Sequence, residues 1–358
     1  MTPPAFIPQN PSVEDCWRGI VLYGDNTATY KFALAESLLK LRPQAGALIK
    51  LEDLAPVYGQ AIAAHMGHSP KQGPPGKFLE AVKNFTVEAN LEALTKATLA
   101  DGFNYVLDRF HNVRGGPVLH KFFLDDQQAN KGIRVTDEFA KLLESMQAGN
   151  IAEEVDSRWR LVETAWSLGI SVNHLVVQHD PLLEKICATD SAGRRKSVTS
   201  TRSALNGYQK GKCFYCFADL RLLGEDFNTD VDHFFPHSLS TAHAAMNLDG
   251  VWNLVLACKS CNRGQNGKFD RIPSLTFLER LNTRNEYLIG SHHPLRETLM
   301  NQSGKTVASR LDFLNTLYRR VQLNPATAWE PEMTFSEDPF RGSAPGLPVR
   351  APRQTSLF

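Results

Sequence analysis

The chain has 358 residues, of which 42% are hydrophobic and 22% are charged, and its formal charge is +1. This balance is typical of a globular protein with room for two domains, and it excludes a polycation, so nucleic-acid binding would need a local basic patch. No apolar run approaches the ~20 residues of a membrane helix, and the first residues lack the pattern of a secretion signal. We therefore expect a cytoplasmic protein with no membrane contact.

The first 188 residues are predicted to form a mostly helical domain. Apolar side chains recur at helical spacing in TATYKFALAESLLKL and in SRWRLVETAWSLG. Breaks rich in Gly and Pro at 67–76 and 114–117 separate the helical segments. A polar loop with several basic residues begins at Ala188, and beyond it short apolar runs such as WNLVLAC indicate strands.

Helical spacing returns after the strands, with one apolar stripe at 275–281 and another at 311–321. The last stretch, SEDPFRGSAPGLPVRAPRQTSLF, contains four prolines and no periodicity, so residues 334–358 are predicted to be a disordered tail. The predicted fold class is therefore α+β. A helical domain at 1–188 precedes a second domain at 189–333, which ends in helices.

Four of the six cysteines form two C-x-x-C pairs, Cys213 with Cys216 and Cys258 with Cys261. In a reducing compartment such pairs bind a metal more often than they form disulfides, and four thiolates make the tetrahedral set of a structural zinc site. The other interpretation is four free or redox-active thiols. Because four cysteine ligands leave no open position for water, we expect Zn²⁺ to stabilise the fold and not to perform chemistry.

The segment DVDHFFPHSL, residues 230–239, lies between the cysteine pairs and contains adjacent Asp232 and His233. Alone, this pair could be a polar turn. With both C-x-x-C pairs, Asn253 of WNLVLAC and the segment CKSCNRGQNGKFDRIP (258–273), it resembles the HNH endonuclease family, also called the ββα-metal fold. The motifs are also similar to the HNH domain of CRISPR RNA-guided nucleases, which lacks the cysteines. The resemblance covers about 65 residues, and we assign the helical half to no family.

The resemblance implies a zinc-stabilised ββα-metal nuclease domain, with two strands followed by a helix that begins near Cys261. It assigns Asp232 and Asn262 as ligands of a catalytic Mg²⁺ or Mn²⁺, which prefer oxygen ligands. His233 would be the general base that activates water, and Asn253 would pin the loop that carries it. For Asn262 a helix-capping role is the alternative.

Three further side chains are candidates for contact with the substrate phosphates, and for each a solvated surface position is the alternative: His237, Arg263 and Lys268. A basic cluster before the first cysteine pair could follow a nucleic-acid backbone, although a charge run in a linker is usually only solvated. This cluster comprises Arg194, Arg195, Lys196 and Arg202.

The resemblance implies metal-dependent cleavage of DNA that leaves 3′-hydroxyl and 5′-phosphate ends, with RNA as an open alternative. By analogy alone, we expect a role in restriction or defence against phage. The alternative from another class is a non-catalytic zinc module that binds nucleic acid or a partner protein. In a third hypothesis, the N-terminal helices sense a signal or dock a protein partner, and the nuclease domain is the effector.

Overall fold

A computed structural model describes residues 10–23, 28–113, 116–145, 147–168, 176–189, 195–207, 209–240, 247–290, 295–321 and 327–334. The predicted tail lies outside these ranges except for its first residue, as do Arg194 and the side chains of Arg195 and Lys196. Within these ranges, no helix combines the length and the apolar character that crossing a membrane requires. The architecture is α+β, with several helices and small antiparallel sheets.

The first half of the chain is mostly helical. Leu34 and Leu38 in one helix, and Trp159 and Val162 in another, are buried, because helical spacing brings them to the face that packs on the core. The helices of this half are α1 (Val13–Tyr23), α2 (Tyr30–Leu41), α3 (Leu51–Met66), α4 (Lys77–Glu88), α5 (Leu91–Ala97), α6 (Val106–Arg109), α7 (Gln127–Asn130), α8 (Asp137–Glu144) and α9 (Ala148–Ser167).

Short strands complete the first half. They form a three-stranded antiparallel sheet in the order β1-β5-β4 and a two-stranded β2-β3 ribbon. Their bounds are β1 (Leu48–Lys50), β2 (Asn112–Val113), β3 (Gly116–Pro117), β4 (Phe123–Asp126) and β5 (Gly132–Val135).

The second half contains a three-stranded antiparallel sheet, β6-β7-β8, and a separate antiparallel pair, β9-β10. A short helix follows β10 directly, and three longer helices follow it. The first and third of these contain the two predicted apolar stripes, and the second was not predicted. The elements are β6 (Val177–Asp180), β7 (Lys185–Thr189), β8 (Arg195–Ser200), α10 (Thr201–Asn206), β9 (Thr229–His233), β10 (Leu254–Cys258), α11 (Lys259–Arg263), α12 (Leu275–Gly290), α13 (Arg296–Ser303) and α14 (Val307–Val321).

The boundary predicted between residues 188 and 189 falls inside β7, which pairs with β6 on one side and β8 on the other. A buried polar network also crosses it. Asn206 at the end of α10 donates to Glu154 of α9 at 2.8 Å, and Asn150 of α9 donates to the carbonyl of Leu220 at 2.7 Å. The regions before and after residue 188 therefore share a sheet and a set of buried hydrogen bonds as well as a continuous apolar core.

Helix α12 positions the cysteine region. Arg280 donates to the carbonyl oxygens of Phe214 and Tyr215, at 2.6 and 3.1 Å. One turn further along, buried Arg284 donates to the carbonyl of Leu254 at 2.7 Å, where β10 begins. The same helix thus holds the first cysteine turn and the start of the strand that leads to the second.

Candidate functional site

The four paired cysteines converge on one point. All four are buried, and their sulfur atoms lie within 4.8 Å of one another. The sulfurs of Cys216 and Cys258 are 3.7 Å apart, far beyond the ~2.05 Å of a disulfide, and all four thiols are free. Four convergent thiols could hold a metal ion such as zinc, and this donor set fits a structural tetrahedral site.

Backbone geometry supports this cluster. The N–H of Cys258 points at the sulfur of Cys213 at 3.3 Å, and the N–H of Cys261 points at the sulfur of Cys258 at 3.5 Å. Such donors stabilise sulfur in its thiolate form, which is the form that binds a metal. Helix α11 begins at Lys259, two residues before Cys261, so the second pair spans a strand end and a helix start.

His233 is the last residue of β9 and lies opposite Leu254 of β10. Its Nε2 lies 2.9 Å from Oδ1 of Asp249, and the other carboxylate oxygen of Asp249 lies 3.5 Å from Nε2 of His237. Because a carboxylate only accepts hydrogen bonds, the neutral His233 ring carries its proton on Nε2, and the lone pair is on Nδ1. Burial lowers the pKa of His233, and Asp249 partly opposes this shift. The ring is therefore largely neutral at pH 7.

The loop after His233 is held by Asn253, whose side chain is completely buried. Its Oδ1 accepts the N–H of Phe235 at 2.8 Å, and its Nδ2 donates to the carbonyls of Phe235 and Leu248 at 2.9 and 2.8 Å. The backbone carbonyl of Asn253 also accepts the N–H of Phe234 at 2.8 Å. This residue therefore fixes the backbone directly after His233 and directly before Asp249.

Asp232 points away from His233, as adjacent residues of a strand do. Its Oδ2 accepts the hydroxyl of Tyr215 at 2.6 Å, and its Oδ1 lies 3.1 Å from the ammonium of Lys268. Burial raises the pKa of the Asp232 carboxyl, and the Lys268 charge opposes that shift. Both carboxylate oxygens are thus engaged by side chains of the protein.

The other expected ligand, Asn262, contacts a different acid. Its Nδ2 donates to Oδ2 of Asp230 at 3.1 Å, and Arg263 makes two contacts with the same carboxylate, at 2.9 and 3.2 Å. A hydrated Mg²⁺ needs accessible oxygens on one side and room for several waters. The engaged oxygens of Asp232 do not fit that requirement together with Asn262.

The three candidate substrate contacts differ in exposure. His237 is 57% exposed and Arg263 is 58% exposed, so both can reach a phosphate. Lys268 is completely buried and has three acceptors, so its ammonium is not presented to a substrate. Its position is a core ion pair and not part of a binding surface.

Four residues near the site were not singled out from the sequence: Asp230, Asp249, Tyr215 and His179. The ring of His179 lies 6.0 Å from that of His233, centroid to centroid, and its Nδ1 lies 3.0 Å from the Thr201 hydroxyl. The sequence could have indicated Asp230, since the alternation of side chains along a strand puts it on the same face of β9 as Asp232. Nothing in the sequence indicates Asp249 and His179, because their proximity to His233 arises only from the tertiary fold.

No protein-family model, curated protein or solved structure matches the chain. Function is therefore inferred from the chemistry of the site.

Proposed function

We propose that this chain is an HNH-type endonuclease that hydrolyses phosphodiester bonds in DNA, with His233 as the general base. The order of β9, β10 and α11 supports the proposal, since it is the strand–strand–helix order that the sequence resemblance implies. The observation that carries it is the contact between His233 and Asp249 at the end of β9. A neutral, oriented imidazole beside solvent is the group that such a hydrolysis needs.

In the proposed reaction, Nδ1 of His233 takes a proton from a water molecule as that water attacks phosphorus. The bond between phosphorus and the 3′-oxygen breaks, and the departing 3′-oxygen takes a proton from solvent. Asp249 keeps the other ring nitrogen protonated and stabilises the imidazolium that forms, because its carboxylate lies 2.9 Å from Nε2. His237 lies beside the same carboxylate and is exposed, so we assign it contact with a phosphate oxygen. Arg263 is exposed and positively charged, so we assign it a second phosphate contact.

The proposed mechanism does not use the expected Mg²⁺ or Mn²⁺ at Asp232 and Asn262, because both carboxylate oxygens of Asp232 contact Tyr215 and Lys268. Cleavage in the presence of Mg²⁺, Mn²⁺ or EDTA tests whether the reaction depends on a divalent ion. The four-cysteine cluster has the proposed role of a structural zinc site.

The test is cleavage of supercoiled plasmid, single-stranded DNA and RNA by zinc-loaded protein in Mg²⁺, Mn²⁺ or EDTA. We expect DNA to be cut, leaving 3′-hydroxyl and 5′-phosphate ends. His233→Ala should cut ~10²–10⁴-fold more slowly, with unchanged zinc content and DNA affinity, because a general base acts only on the way to the transition state. His68→Ala, which changes an exposed histidine of the first half, is the matched control. Native-rate cleavage by folded His233→Ala would refute the assignment.

The pH profile tests the pairing with Asp249. Cleavage requires neutral His233, and burial lowers its pKa, so activity should fall only on the acid side of the ordinary pKa of ~6.5. Asp249 raises the pKa of His233 relative to burial alone. Asp249→Asn should therefore cut more slowly but shift the acid limb of the profile to lower pH. An unchanged acid limb of the pH profile in Asp249→Asn would show that Asp249 does not alter the pKa of His233.

A second candidate is a non-catalytic zinc module that binds nucleic acid or a partner protein. The buried contact between Asp232 and Lys268 favours it, because that contact removes an expected catalytic ligand. If the native protein binds DNA but cuts no nucleic acid under any condition, this function replaces the first.

The biological part of the proposal is a cytoplasmic effector of restriction or antiphage defence, with the N-terminal helices as the docking region for a partner protein. Phage plating on cells that express the native chain or His233→Ala tests this role. Equal plaque counts on the two strains would show that protection against phage does not depend on the nuclease activity.

A further inference from the structure

The ammonium of Lys268 is surrounded by oxygen atoms of the protein, as a bound cation is. It lies 2.8 Å from the carbonyl oxygen of His233, 3.1 Å from Oδ1 of Asp232 and 3.2 Å from the carbonyl oxygen of Phe269. An ammonium has three N–H donors, so all three are matched by these oxygens. The side chain is 0% exposed, so water does not compete for them.

Asp232 is closed from its other side as well. Its second oxygen accepts the Tyr215 hydroxyl at 2.6 Å, and the residue is 6% exposed. A divalent ion of the Mg²⁺ class dehydrates reluctantly and keeps several waters when it binds one or two carboxylates. To bind here it would have to displace a fully paired ammonium and bring its waters into a buried position.

The displaced lysine would also lose the three oxygens that compensate its charge. A buried charge that loses its counter-ion is costly, because the low-dielectric interior no longer compensates its desolvation. The carbonyl of His233 would lose the Lys268 donor at the same time. Binding of an ion at Asp232 would therefore disturb the backbone of the proposed general base.

We propose that the Lys268 ammonium takes the place of a divalent ion at Asp232, so that this carboxylate is a positioning residue for the backbone of His233 and does not bind a catalytic metal. The proposal deepens the proposed function and rests on it only for the role of His233. The ion pair itself can be tested by metal binding alone, without any cleavage.

Binding of Mn²⁺ to zinc-loaded protein, measured by electron paramagnetic resonance and calorimetry, tests the proposal. Native protein and Asp232→Asn should bind Mn²⁺ with affinities within about twofold of each other, because the carboxylate is not a ligand. Lys268→Ala removes the ammonium and leaves space beside Asp232 for an ion and its waters, so it should gain a Mn²⁺ site at Asp232 of at least about tenfold higher affinity. The double variant Lys268→Ala with Asp232→Asn should lose that site.

Two results would overturn the proposal. One is a Mn²⁺ affinity at least about tenfold weaker in Asp232→Asn than in the native protein. The other is a folded Lys268→Ala protein that gains no site. If Lys268→Ala does not fold, the comparison of native protein with Asp232→Asn still decides the matter. Failure of the proposed nuclease function is a different result, namely no cleavage by any form, and leaves the Mn²⁺ comparison intact.

Discussion

Glu154 provides a test of whether the two halves of the chain fold as one unit. Its two carboxylate oxygens each accept a hydrogen bond from the guanidinium of Arg18 in α1, both at 2.9 Å, and the two side chains are each 2% exposed. Asn206 of α10 donates to the same carboxylate at 2.8 Å. Helices from both sides of the predicted domain boundary therefore meet at Glu154.

Glu154→Ala leaves the Arg18 guanidinium buried without its counter-ion. Removal of one partner of a buried ion pair typically costs ~3–5 kcal/mol, because the remaining charge is uncompensated. At ~1.4 kcal/mol per tenfold, the unfolding equilibrium should shift by ~10²–10⁴-fold, a large part of the ~5–15 kcal/mol that stabilises a typical protein. Replacement of both partners, as Arg18→Met with Glu154→Leu, should cost less than Glu154→Ala alone.

The assay is equilibrium unfolding in urea, followed by far-ultraviolet circular dichroism and by release of zinc. Glu138→Ala is the control, since Glu138 is partly exposed and its oxygen is 3.9 Å from the Lys141 ammonium, so its loss should cost only ~0–1 kcal/mol. In Glu154→Ala both signals should shift to lower urea together. A shift indistinguishable from that of Glu138→Ala, or zinc release that does not move, would refute the coupling of the two halves.

Three further predictions concern metal, pH and the loop after β9. We expect about one zinc ion per chain in the native protein. Cys213→Ser should lose this ion and destabilise the cysteine region, because structural zinc sites contribute to folding directly. Elemental analysis measures the zinc content and thermal unfolding measures the stability. His111 accepts the N–H of Phe122 at 2.9 Å, and burial lowers its pKa to about 3, so the unfolded chain binds its proton more readily. Stability should therefore be full above pH ~6.5 and be lower by ~2 kcal/mol at pH 5, and urea unfolding of His111→Gln should depend less on pH. Asn253→Ala should cost more than ~2 kcal/mol in the same assay, because it leaves three buried backbone groups without a partner at ~1–3 kcal/mol each.

The cysteine cluster and the strand pair around it follow from local sequence. Each C-x-x-C pair places two ligands within one turn, and β-rich runs next to the pairs predict the strands. The side-chain partners at the end of β9 do not follow from local sequence. Lys268 lies 36 residues from Asp232 and Asp249 lies 16 residues from His233, so both pairings depend on how the intervening loops return. A motif indicates which residue types are present, but it does not indicate which of them are already paired with each other.

The distance between the cysteine cluster and His233 explains how the cluster can matter without performing chemistry. On the β9–β10 ladder Cys258 lies opposite Thr229, while His233 lies opposite Leu254. Four residue steps at ~3.4 Å separate the two ends by about 14 Å, too far for a bound ion to act on a water at His233.

Tyr215 connects the two ends. It lies between the cysteines of the first pair, and its hydroxyl donates to Asp232, the residue before His233. Lys268, whose backbone N–H donates to the carbonyl of Cys261 at 2.6 Å, donates through its ammonium to the carbonyl of His233 itself. The first cysteine pair is thus linked to the proposed base through the side chain of Tyr215. The second pair is linked to it through the backbone and side chain of Lys268. A metal ion that holds the two pairs together would fix both links at once, and its loss would release the backbone at His233 although the ion lies at the other end of the ladder.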